Sequence, residues 1–217
     1  MQTLEARTTQ PVSCLGSSAW SRRLQPGETL FLEGSNPTSL YQVQSGCIKL
    51  TANTSAGREM VSELLLPGDI FDLPSCLDGL PHLFNSKAPS SSPARVLVIS
   101  RGVLLEDPQL SWRCQAEFMR QLRQIRSHPV AAPADRVEVR FARALLWLGE
   151  RLGTRTAEGL TFPLWLTRQE LSEWVGTTPE TVIRVCSDLR RRGLIRIEKG
   201  SFILLRTPEL QHLTEAA

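Results

Sequence analysis

Apolar positions recur along this chain with two different periods. From Glu28 to Ser100 they come in short alternating runs broken by Gly, Pro, Ser and Asn, the mark of strands half-buried on a sheet. The runs are Thr29–Leu32, Leu40–Gln44, Cys47–Thr51, Glu59–Leu66, Ile70–Leu73, His82–Ser86 and Arg95–Ser100. The third and fourth face each other across Ser55-Ala56-Gly57, a hairpin-like turn. Many short strands at this spacing predict a double-sheet jelly roll or barrel. Ser86 to Pro93, with two prolines and four serines, reads as an exposed loop, and residues 1 to about 20 as a lead-in with a short helix near Ser17–Arg23.

After Asp107-Pro108 the period changes to three and four residues. Leu110, Cys114, Phe118, Leu122 and Ile125 form one apolar stripe, with Trp112 and Met119 beside it and Arg113, Arg120, Arg123 and Arg126 outside it. Pro129 and Pro133 should end this helix near His128, because proline cannot continue it, and the run to Asp135 reads as a hinge. Asp135 is placed to cap a second helix, with Val137, Phe141, Leu145, Leu146 and Leu148 on its buried side and Gly153 at its end. A strand over Gly159–Leu166 follows.

The stretch from Leu166 to Ile195 carries the strongest local signals. Thr167 and Glu170 have the spacing of a capping box, in which each side chain satisfies one free amide of the helix start. Leu171, Trp174 and Val175 share a face, and Gly176 suits the left-handed residue that ends the helix. Thr178 is placed to cap the next helix with Pro179 in its first turn, where a missing N–H is no loss. Val182, Val185, Cys186 and Leu189 form the buried face of that helix. Glu180, Thr181, Ile183, Arg184, Ser187 and Asp188 form the other, with Arg190, Arg191 and Arg192 at the end before Gly193. A hairpin of Leu194–Glu198 and Ser201–Leu205 turning at Lys199-Gly200 completes a winged helix-turn-helix. The alternative, a helical hairpin inside an ordinary core, would leave Arg184 and the three terminal arginines with no anionic partner.

These residues resemble a known pattern. Leu166-Thr167-Arg168-Gln169-Glu170-Leu171, then Gly176-Thr177-Thr178-Pro179-Glu180-Thr181-Val182-Ile183-Arg184-Val185, then Gly193-Leu194-Ile195 are similar to the DNA-binding signature of the cyclic-AMP receptor and fumarate-nitrate-reduction regulators, the Crp/Fnr family. Upstream, Pro26-Gly27-Glu28, Glu33-Gly34, Ser45-Gly46, Gly57-Arg58-Glu59 and Pro67-Gly68-Asp69 fall in the order of that family's sensor β-roll. The resemblance implies an α+β chain in three parts: a cyclic-nucleotide-binding-like β-roll with its lead-in over 1–106, a dimerisation helix and hinge over 107–134, and a winged helix-turn-helix over 135–217. It implies a homodimeric transcription regulator, more often an activator, with double-stranded DNA and RNA polymerase as partners. The dimer seam would be Leu110, Cys114, Phe118, Leu122 and Ile125, unless that helix packs only on its own roll.

Glu180 and Arg184 match the base-reading positions of the family motif and lie four apart, on one helical face. Arginine can donate twice to guanine and glutamate can accept from cytosine, although the same spacing also suits a surface ion pair. Pro179 stands where some members have a guanine-reading arginine, and Ile183 could touch a thymine methyl. The expected operator is a palindrome with TGA-like half-sites about one helical turn apart. Thr167, Arg168, Thr178, Ser187, Lys199 and Ser201 are the candidate phosphate contacts. Arg190, Arg191 and Arg192 add long-range attraction or simply form a solvated helix end.

The cyclic-AMP binders of the family pair a Gly-Glu with a downstream Arg-Ser. This chain has Phe71-Asp72 and about Phe84-Asn85 at those places, and no arginine between Arg58 and Arg95. A buried phosphate without a cation is costly, which argues against a cyclic nucleotide. Asp72 keeps a carboxylate there or serves as a turn residue. An iron–sulfur cluster needs four thiolates at usable spacing, and of the five cysteines (Cys14, Cys47, Cys76, Cys114, Cys186) only Cys14 lies near the start. Haem remains an alternative through His82, Cys76 or Cys47. No cofactor or metal is expected, and a redox- or gas-responsive or effector-independent regulator fits as well. Cys186 is by default a core thiol, and by the alternative a redox switch on the recognition helix.

Charge sharpens the division. Arg136 to Arg206 holds 13 basic against 8 acidic residues, +5, and the remainder 12 against 14, −2, which together give the net +3. Scattered cysteines, odd in number and never as C-x-x-C, argue against a disulfide framework or a zinc site. The start has no apolar signal core, and no run reaches the roughly 18 apolar residues of a membrane span, so a cytoplasmic protein is expected. A jelly-roll metalloenzyme would need clustered histidines. His82, His128 and His212 lie far apart, and no P-loop, nucleophile elbow or H-E-x-x-H occurs. A cyclic-nucleotide module without DNA is opposed by the helix-turn-helix and its arginines.

Overall fold

The computed structural model describes residues 19–53, 57, 59–124, 135–198 and 200–215, and these fall into two compact units that divide near residue 125. In the first unit the strands are β1 (Ala19–Leu24), β2 (Thr29–Phe31), β3 (Ser39–Ser45), β4 (Ile48–Asn53), β5 (Glu59–Leu65), β6 (Ile70–Phe71), β7 (Asn85–Lys87) and β8 (Ala94–Ser100). Its helices are α1 (Leu73–Asp78), α2 (Arg101–Glu106) and α3 (Pro108–Gln124). Two antiparallel four-stranded sheets form the roll, in the orders β1-β8-β3-β6 and β2-β7-β4-β5. Alternate residues follow the pleat: Tyr41, Val43, Val96 and Val98 point between the sheets, while Leu40 and Ile99 point outward beneath the helices.

The apolar stripe of α3 is turned onto this outer face. Leu110 and Cys114 are buried with Leu40, Ile70, Leu104 and Cys76, and Phe118 packs against the same cluster. Burial of such a side chain is worth about 1.5–3 kcal/mol, so α3 belongs energetically to the roll. The stripe left to solvent is Trp112, Met119 and Leu122. Leu110 and Cys114 therefore are not on the side of α3 open to a twin, and Ile125, with the hinge after it, lies outside the described residues.

Several local expectations change. Ala19–Leu24 is an edge strand paired with β8, so the part of the expected first helix that is described is extended; strand pairing overrides local preference. The strand expected over Ile70–Leu73 stops at Phe71 because Asp72 is left-handed (φ 65°) and α1 then starts at Leu73, with Pro74 in its first turn. The strand expected at His82–Ser86 begins three residues later, since His82 exchanges backbone hydrogen bonds with the β2–β3 turn at Gly34 and Ser35. Ser86–Pro93 is an exposed loop only in part: Ser90, Ser91 and Pro93 are exposed, but Ser86, Ala88 and Pro89 are buried, and Ala88 N–H and the Pro89 carbonyl bond to Glu28 and Gly27.

The second unit comprises α4 (Val137–Leu152), β9 (Thr154–Thr156), β10 (Gly159–Pro163), α5 (Arg168–Val175), α6 (Pro179–Arg191), β11 (Ile195–Glu198), β12 (Ser201–Leu204) and α7 (Thr207–Glu215), with one sheet in the order β11-β12-β10-β9. Phe141, Leu145 and Leu148 of α4 are buried, and Trp147 meets Trp174 edge-on at 5.6 Å. Asp135 is not the cap of α4. Arg136 holds that place, and the Asp135 carboxylate pairs with Arg143 at 2.9 Å instead. The strand expected over Gly159–Leu166 ends at Pro163, and β9 and α7 are additional.

Candidate nucleic-acid interface

The α5–α6 pair is built by its caps. Thr167 Oγ1 accepts from Glu170 N–H at 3.1 Å while Glu170 Oε2 accepts from Thr167 N–H at 2.8 Å, closing the box. Gly176 takes the left-handed position (φ 72°). Thr178 Oγ1 accepts from Thr181 N–H at 3.3 Å with Pro179 next in sequence. Val182, Val185, Cys186 and Leu189 bury one face of α6. Two faces of one helix are thus assigned opposite tasks before any partner is considered.

The free face carries Glu180, Ile183, Arg184 and Ser187, all exposed, with Pro179 and Thr181 partly so. Ile183, a large apolar residue, is 52% exposed on this face. Glu180 and Arg184 form no ion pair with each other, and Arg184 has no charged or hydrogen-bonded partner among the described residues. The Glu180 carboxyl is held below the ordinary range by its own backbone amide and by the Thr178 hydroxyl, so it is an anion at neutral pH.

The expected phosphate contacts are not equivalent. The Thr167 hydroxyl is engaged in the capping box, and Ser187 Oγ donates to the Ile183 carbonyl at 2.9 Å. Arg168 is half-buried with its guanidinium 5.9 Å from the Phe202 ring centre. Thr178 is exposed at the start of α6, Ser201 is half-buried at the start of β12, and Lys199 lies outside the described residues. The terminal arginines also differ. Arg191 pairs with Asp188, and Arg192 with Glu138 and, at 3.4 Å, with Asp188. Arg190 is exposed.

In the roll, the four residues suspected of lining an effector pocket are occupied with the protein itself. Phe71 is in the core against Tyr41, with ring centres 5.3 Å apart. Asn85 Oδ1 accepts from Glu33 N–H at 3.0 Å, and Phe84 packs on the core. Asp72 Oδ2 is 2.9 Å from His82 Nδ1, close enough for an ion pair although neither atom has a well-aligned hydrogen bond. Burial raises the Asp72 carboxyl while His82 lowers it, and the His82 ring stacks on Phe31 at 3.9 Å. Lys87, the one cation between Arg58 and Arg95, pairs with Glu59 at 2.9 Å. His82 was visible in the sequence as a scattered histidine and a candidate haem ligand; its pairing with Asp72, ten residues away, was not.

Other half-buried or buried groups were missed. Glu63 is pushed up to about 7, first by burial and then by the Asp69 carboxylate. Asp69 itself accepts from Gln121 Nε2 of α3 at 3.1 Å and from Leu66 N–H at 2.8 Å. Burial keeps the Cys186 thiol high against the pull of Arg168 and Arg190. Among the described residues no cluster of three or more His, Cys, Asp or Glu could hold a metal, and no helix is long and apolar enough to cross a membrane.

Comparison with known proteins matches both units. Residues 21–106 fit the cyclic nucleotide-binding domain and residues 139–213 the Crp-like helix-turn-helix domain. A CRP-like cAMP-activated global transcriptional regulator of Mycobacterium tuberculosis is 30% identical over 196 residues, covering 86% of this chain and 87% of that protein. The nitrogen fixation regulation protein FixK of Bradyrhizobium diazoefficiens is 31% identical over 194 residues, covering 88% and 80%. The solved structure of FixK2 from Bradyrhizobium japonicum superposes with a TM-score of 0.78 at 25% identity, covering 92% of this chain and 98% of that one.

Proposed function

Because this chain belongs to the Crp/Fnr family of DNA-binding transcription regulators, we propose that α6 is the helix it lays in the major groove and that Arg184 and Glu180 are its base readers. The observation that carries this reading is the state of Arg184: exposed, without a partner among the described residues, on a helix whose opposite face is closed. Arg184 donates two hydrogen bonds to guanine, Glu180 accepts from cytosine, and Ile183 meets a thymine methyl. Pro179 cannot donate, so one base of the half-site is read loosely. Phosphates are met by Arg168, Thr178, Lys199 and Ser201, and by Thr167 and Ser187 only after their hydroxyls leave their internal partners.

The working form is a homodimer on a palindrome of TGA-like half-sites about one helical turn apart. The seam uses the solvent stripe of α3, Trp112, Met119 and Leu122, rather than Leu110 and Cys114; Trp112 is 70% and Met119 53% exposed. The regulator is an activator that touches RNA polymerase. Its signal is not a cyclic nucleotide: no arginine lies between Arg58 and Arg95 to meet the phosphate, Lys87 is paired with Glu59, and Asp72 faces His82. Haem or another redox- or gas-borne signal, or none, remains. Selecting duplexes from random oligonucleotides and titrating the winner at two salt concentrations tests the reading. A palindrome bound with a steep salt slope is expected; no enrichment, or binding insensitive to salt, would end it.

A further inference from the structure

The DNA-reading face leaves one charged side chain unexplained. Arg140 of α4 is 8% exposed, set between Val139 and Phe141 on the buried side of the helix. A guanidinium is that costly to bury unless its donors are met. Here they are met by backbone carbonyls from separate places: Nη1 donates to Asp135 at 2.8 Å, Nε to Val175 at 3.0 Å and Nη2 to Gly176 at 2.9 Å. Val175 is the last residue of α5 and Gly176 its left-handed cap, so two of the three acceptors are the helix-turn-helix turn itself. Asp135 is the first described residue of the unit, and Arg143 holds its carboxylate.

A planar fork with fixed N–H directions holds its acceptors in one arrangement, which a single ammonium cannot do. The other end of α6 is referenced to the same turn of α4. Its C-cap, Arg192, pairs with Glu138. We propose that Arg140 is a positioning residue for base reading: it fixes the turn before α6 to Asp135 at the foot of α4, and so sets the angle at which α6 meets DNA. Glu138, through Arg192, steadies the far end of the helix. The proposal rests on the reading that α6 binds DNA.

The test uses the full chain, a selected duplex and a scrambled duplex of the same length, well below the melting temperature of each variant. Arg140→Lys keeps the charge and loses the fork. Its affinity for the selected duplex should fall by about tenfold, as for loss of charge-assisted hydrogen bonds, and for the scrambled duplex by less than about twofold. Equal losses on both would mark an arginine that merely holds the fold, and an unchanged ratio in a folded variant would mark one that does not matter; either overturns the proposal. If Arg140→Lys does not fold, Glu138→Gln decides. It disturbs only a half-exposed pair, and a fall of roughly two- to threefold in the selected-to-scrambled ratio at unchanged melting temperature is expected. No change in that ratio overturns the proposal. Wild-type protein that fails to prefer any selected duplex counts against the DNA reading, not against the brace.

Discussion

His82 Nδ1 lies 2.9 Å from Asp72 Oδ2 inside the β-roll, with the His82 ring stacked on Phe31 and the Asp72 backbone left-handed. The pair joins the α1 start to the loop before β7. Removing one member of a buried pair leaves the other uncompensated. His82→Leu should therefore destabilise the roll by roughly 1–3 kcal/mol in urea unfolding. Adding Asp72→Asn, which tolerates the left-handed backbone, should recover most of the loss. If the double variant is as unstable as the single one, the pair is not what holds these loops.

Glu63 gives the roll a dependence on pH. Its folded pKa, about 7, is above the ordinary 4.5, so the folded state binds this proton more tightly than the unfolded chain. The resulting stabilisation is complete below about 4.5, shrinks as pH rises and is gone above about 7. Glu63→Gln removes the titration. It should melt above wild type near pH 8 and with it near pH 4.5. A difference that is the same at both would assign the effect to packing instead.

The four described thiols are predicted to be inert. Burial pushes Cys76 and Cys114 up to about 11 and raises Cys186, and all three, with Cys47, are buried. Iodoacetamide on the native protein at neutral pH should label none of the four, and should label all after urea. Native labelling of Cys186 accompanied by loss of DNA binding would restore the redox reading of that residue.

The helix-turn-helix was legible because its determinants are local. Thr167 and Glu170 are three residues apart, Gly176 and Pro179 mark ends that few other residues could, and the α6 faces follow from period alone. The β4–β5 hairpin was legible for the same reason. What failed depends on distant partners. Ala19–Leu24 is a strand only because β8 lies beside it, and the α3 stripe reads identically whether it faces a twin or its own roll. Asp135 has the look of a cap but answers to Arg143. Arg140 stood at a core spacing within an apolar run, and that was the available sign that its charge is used inside the fold.

The measurement closest to the central claim compares wild type with Arg184→Ala on the best selected duplex and on random duplex at one salt concentration. The substitution should cost about 1–3 kcal/mol on the selected duplex, relax the preference at one base position of each half-site, and leave random-duplex affinity nearly unchanged. Equal losses on both duplexes, or undiminished preference at every position, would contradict the assignment of Arg184 as a reader of bases.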